Sequence, residues 1–152
     1  MSSIAISLPD GRVRSYPRGI IPLDLAKDLG STFAKNTIAV LWNEEVQDAH
    51  APLLVDGRLR LLTWEDREGK STFWHSSAHL MAEALQRLYG EGVKFGIGPP
   101  IESGFYYDID LGDRSFPTED IPRLESLMIE LARQKNPFLR SLVNKDAART
   151  HF

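Results

Sequence analysis

The sequence predicts an α+β chain in two units. The first, residues 1–64, follows the β-grasp or ubiquitin-like plan; the second, 72–152, is an incomplete α+β unit that begins with a helix. Three observations predict this. Strand-like alternation around Asp10-Gly11 opens the chain, and helical spacing of apolar residues sets in at Trp74. Between them "EDREGKS", 65–71, is charged and poor in apolar residues, which marks it as a linker.

The elements follow in order. "IAISLP" alternates and is rich enough in β-branched residues to form a strand; Asp10-Gly11 is a strong hairpin turn, and "RVRSYP" returns as the second strand. "IPLDLAKDLG" places Ile21, Leu23, Leu25 and Leu29 on a short helix closed by Gly30. "NTIAVLWN" has the unbroken apolar run of a buried strand, and after a polar turn and Val46 the segment "DGRLRLLT" alternates Leu59, Leu61 and Thr63. Hairpin, helix and further strands make the β-grasp order, whose plainest role is a small docking module; such folds host many functions.

In the second unit Trp74, Ala78, Met81, Leu85 and Leu88 recur at steps of four and three, one stripe of a helix that Ser71 or Thr72 can cap and Gly90 can end. "VKFGIGPPIESGFYYDIDL" reads as two strands interrupted by Gly98-Pro99-Pro100 and Ser103-Gly104. Thr118 can cap a second helix with the stripe Ile121, Leu124, Leu127, Met128 and Leu131, ended by Asn136-Pro137. A last turn, "NKDAARTHF", is followed by no strand that would close the unit, so the unit reads as incomplete.

Composition narrows the function. With 152 residues, 42% hydrophobic and 26% charged, the chain has the make-up of a soluble globular protein. It has no run of 18 apolar residues and no signal-like leader, which argues against a membrane span or secretion; the absence of cysteine excludes disulfides and thiolate chemistry and favours a cytoplasmic setting. A net charge of −3 is not that of a nucleic-acid binder. The charge is uneven: residues 1–64 balance, 65–132 carry seven more acidic than basic groups, and 133–152 carry four more basic than acidic. That basic tail can meet phosphate or simply be solvated.

Two of the four histidines, His75 and His79, stand i,i+4 on the first helix of the second unit, one position round from the apolar stripe. Side chains so spaced sit about 5–6 Å apart at Cβ and can share one water or one metal ion. Satisfied surface histidines are the plainer reading. A zinc site needs a third ligand, for which His50, His151, Asp108 and Glu83 are the candidates, none at diagnostic spacing. No metal is therefore assigned to the chain, and the pair is half a site.

The run "FWHSSAHLMAEALQRLYG" followed by "IGPPIESGFYYDIDL" resembles the second N-terminal domain of bacterial threonyl-tRNA synthetases, and the β-grasp unit before it is similar to their first domain, called TGS. The histidine motif alone also resembles that of alanyl-tRNA synthetases and their free-standing editing relatives, which carry no TGS domain in front. The resemblance implies the N-terminal part of a threonine–tRNA ligase, a cytoplasmic homodimer acting on tRNA, threonine and ATP, with magnesium and a zinc ion in a catalytic core that this chain lacks.

It further implies that this region hydrolyses mischarged seryl-tRNA, with His75 and His79 as its editing histidines and Tyr107 lining the same pocket. Serine lacks one methyl of threonine, which gives binding only about 1–3 kcal/mol to work with, so a hydrolytic second site is needed. The family closes its pocket with a later C-x-x-x-H pair that is absent here. The chain alone is therefore expected to bind no cofactor and to be inactive. A trans-editing hydrolase of the alanyl type and a non-enzymatic β-grasp binding module are the alternatives.

Overall fold

The computed structural model describes residues 2–151. Its first unit is a five-stranded mixed sheet. β1 (Ser3–Ser7) and β2 (Val13–Pro17) form the hairpin about Asp10-Gly11, with Ser7 opposite Val13. Gly11 takes φ +82 there, a conformation glycine adopts without strain. α1 (Pro22–Leu29) starts with proline in its first turn and ends at Gly30, as the sequence predicts. β3 (Ala39–Trp42), β4 (Glu45–Asp48) and β5 (Gly57–Leu62) complete a sheet of order β2-β1-β5-β3-β4, in which β1 and β5 run parallel.

Two elements were not legible beforehand. α2 (Ser31–Asn36) buries no side chain, and β4 is an edge strand with three of its four residues exposed, so neither carries a hydrophobic period. The core lies between the sheet and α1: Ile4, Ile6, Leu25, Val40, Trp42, Leu53 and Leu59 are buried together, with Leu61 packed against them. Ala39 and Leu62, paired across β3 and β5, point to the opposite face and are equally buried.

What covers that face is the next element. α3 (Arg67–Tyr89) is a continuous helix of 23 residues and packs against β3. It begins inside the segment expected to be a linker, so residues 67–71 are helical. Asp66, not Ser71 or Thr72, is its N-cap. The Asp66 carboxylate turns back to the sheet, accepting from the Thr63 amide at 2.8 Å, the Thr63 hydroxyl at 3.2 Å and the Arg60 guanidinium at 2.5 Å. Gly69 is buried because the Thr63 carbonyl occupies the space a side chain would need: a Cβ there would lie 1.9 Å from that oxygen.

The rest of α3 belongs to the second unit. "VKFGIGPPIESGFYYDIDL" forms four two-residue strands rather than two longer ones. β6 (Lys94–Phe95) pairs with β9 (Ile109–Asp110), and β7 (Pro100–Ile101) with β8 (Gly104–Phe105). A 3₁₀ turn at Thr118–Asp120 leads into α4 (Ile121–Gln134), so Asp120 rather than Thr118 stands at the N-cap position, its carboxylate bound instead by the Tyr89 hydroxyl at 2.5 Å. α3 and α4 bury Ala84, Leu85, Leu124 and Leu131 against each other. Two stripe residues depart from expectation. Trp74 joins Trp64, Phe73 and Phe105 in an aromatic cluster outside that core, and Ile121 is exposed. A final helix, α5 (Lys145–His151), follows a segment without regular structure.

Candidate functional site

His75 and His79 sit on the third and fourth turns of α3, on an exposed face. The helix tolerates so polar a stretch because its hydroxyls bond to their own backbone. Thr72, Ser76 and Ser77 each donate to the carbonyl four residues earlier, at 2.9 Å. The two imidazoles instead meet each other. Nε2 of His75 lies 2.9 Å from Nε2 of His79, with ring centroids 4.8 Å apart.

That distance constrains the protons. A hydrogen bond between two Nε2 atoms requires one to carry a hydrogen and the other a lone pair. In the neutral pair the donor ring therefore keeps a bare Nδ1, while the acceptor ring carries its hydrogen on Nδ1. The geometry admits one positive charge but not two, since a second proton on Nε2 would abolish the bond. Burial holds His79 below the ordinary imidazole value, and the neighbouring His75 adds to the effect. With His79 held toward its neutral form, a pair with one free ring nitrogen able to take a proton is equipped for general-base chemistry on a bound water.

A cleft of about 460 Å³ opens beside His79, between α3 and the end of α4. Phe73, Ser77 and Glu83 line it from α3, Leu131 and Lys135 from α4, and Pro137 and Phe138 from the segment beyond. A wider hollow of about 610 Å³ lies between the first turn of α3 and the β7–β8 hairpin, lined by Glu65, Arg67, Lys70 and Glu102 among others. No imidazole is among its lining residues and its charges are of mixed sign.

Tyr107 is not among the side chains of the histidine cleft. Its ring packs on Phe95, 5.6 Å between centroids, and lies so close over Gly98 that a Cβ there would stand 1.6 Å from it. Among the described residues no three His, Asp or Glu side chains converge on one point. Glu83 pairs with Arg87 at 2.7 Å, and His50 bonds Asp48 in the first unit. The side chain of His151 lies outside the described residues. Sequence reasoning missed Lys135 and Phe138, whose place in the cleft depends on the chain reversal after α4. Asn136-Pro137 signalled that the helix stops there but not where the chain then goes.

Residues 4–63 match the TGS domain family. Over 149 residues, 98% of the chain, it is 50% identical to a threonine–tRNA ligase of Cytophaga hutchinsonii, and it is 46% identical to that of Parabacteroides distasonis over the same share. The chain matches the N-terminal region of bacterial threonine–tRNA ligases. The threonine–tRNA ligase of Porphyromonas gingivalis is 46% identical over 96% of the chain. The chain spans under a quarter of the length of these ligases, 23% of the first two and 22% of the third. No helix among the described residues is long and apolar enough to cross a membrane.

Proposed function

We propose that this chain is the N-terminal part of a cytoplasmic threonine–tRNA ligase, and that its histidine pair serves the hydrolysis of seryl-tRNA formed by mistake. The observation that carries the reading is the 2.9 Å contact between Nε2 of His75 and Nε2 of His79 on an exposed helical face beside a cleft. An aminoacyl ester is cleaved by a water that is held in place and relieved of a proton as it attacks. The bare nitrogen of the donor imidazole is the group that takes this proton, and the second imidazole fixes which nitrogen is bare. ATP, magnesium, zinc and the joining of threonine to tRNA belong to the ligase core, and no residue of this chain is assigned to them. The complete ligase works as a homodimer in this reading.

In this reading the pair is half a site, completed by residues of the full-length ligase. The test uses the full-length ligase that carries this region. His75→Ala and His79→Ala should each slow deacylation of seryl-tRNA by about 10²–10⁴-fold, the usual worth of a positioned acid or base, while leaving attachment of threonine unchanged. Deacylation at the unaltered rate in both variants would refute the assignment. So would turnover by residues 1–152 in isolation that survives His75→Ala.

A further inference from the structure

Phe138 belongs to neither hydrophobic core and is 67% exposed. Among the described residues its one aromatic neighbour is His79, with centroids 6.4 Å apart and ring planes at 61°. The chain is turned to make this contact. Lys135, the residue that ends α4, takes φ 54 and ψ 37, a left-handed conformation that costs an L-residue energy, and Pro137 then stiffens the approach. The reversal brings Pro137 and Phe138 back over α3, where both line the cleft with His79.

We infer that Phe138 is a positioning residue for the histidine pair: it closes the outer side of the His79 ring and holds it in the orientation that meets His75. An imidazole on an exposed helical face is free to rotate about its side-chain bonds, and rotation would break the Nε2–Nε2 bond. An edge-to-face aromatic neighbour restricts that rotation and removes water from one side of the ring. The charged or titratable groups about His79 are His75 and Glu83 on α3 and Lys135 at the end of α4. Glu83 is engaged by Arg87, and the Pro137–Phe138 segment adds no charge. The apolar wall is thus the feature that sets His79 apart from His75, in keeping with burial as the main reason His79 resists protonation.

The role has meaning only if the pair handles a proton, as proposed above, but its test needs no tRNA. A failed deacylation assay and a failed ring measurement are therefore separate results. Ring-nitrogen NMR on the full 152-residue chain reads tautomer and titration of each histidine directly. In the parent chain one Nε2 should carry hydrogen and the other should not. In Phe138→Ala that distinction should average out, and the His79 midpoint should rise toward the ordinary value of about 6.5. Phe138→Leu, which keeps an apolar wall, should fall between. The thermal midpoint and the α3–α4 amide signals should not move, because Phe138 lies outside the core. Unchanged His79 signals in Phe138→Ala would overturn the inference. A change seen only together with loss of α3–α4 packing would overturn it too, as a merely structural effect.

Discussion

Gly69 shows how much a single residue can decide. Its backbone is not in a left-handed region; what matters is space, since a Cβ would stand 1.9 Å from the Thr63 carbonyl oxygen. Gly69→Ala should therefore lower stability by about 1–3 kcal/mol through overpacking, read as a lower thermal midpoint with the fold retained. A midpoint equal to that of the parent would mean that the helix start yields freely. His79 makes a different prediction. Its folded pKa is depressed, so the unfolded chain binds the extra proton first as pH falls. The stability linked to this group is complete above about pH 6.5 and is lost as pH falls through the lower folded value. Urea midpoints followed from pH 7.5 to 5 should fall in the parent and change less in His79→Gln. At this scale the sequence was informative about identity and silent about company. His75 and His79 could be named from i,i+4 spacing, whereas Phe138 could not, because its partner is 59 residues away in the chain.

The elements differ in how plainly they could be read. The β1–β2 hairpin, α1, β3, α3 and α4 carried strong periods or turn residues and stand close to where the sequence places them. β4 and α2 carried none, and the four two-residue strands are too short for any period to register. The start of α3 was misplaced for a physical reason: its first turn packs through a glycine and a backbone carbonyl, not through an apolar side chain. Its tie to the sheet is Asp66. Hydrogen bonding from the Thr63 amide, aided by Arg60, holds the Asp66 carboxyl below the usual carboxylate range. That stability is present above about pH 3.8 and is lost as pH falls through the lowered value. Asp66→Asn should cost about 1–3 kcal/mol at neutral pH and flatten the acid limb of the stability curve. In the second core, Leu85→Ala should cost about 2–5 kcal/mol, because Leu85 is 1% exposed between α3 and α4. Chemical denaturation checks both.

For the whole molecule, the two units share an element. Ala39 and Leu62 are buried on the face of the sheet turned away from α1, and α3 is what packs there. A chain ending at residue 64 keeps every strand of the β-grasp unit but exposes those side chains. It should fold with a lower thermal midpoint and bind more of a dye specific for apolar surface than the same unit within residues 1–152. Equal midpoints would show that α3 contributes nothing to the sheet. The sequence boundary at 65–71 followed composition faithfully. Composition does not report that a charged segment can be helical, anchored at one end and apolar only further on.

The continuity of α3 has one more consequence. From Gly69, pinned on the sheet, to His75 is six residues, about 9 Å along the axis at 1.5 Å each. The helix works as a ruler with its zero mark at Thr63, just past the end of β5, and the imidazole pair engraved partway along it. One alanine inserted between Lys70 and Trp74 would advance the pair by a single graduation and swing it about 100° around the axis, away from the cleft, with both histidines intact. The same insertion at Gly92, past the end of the ruler, would leave the setting untouched.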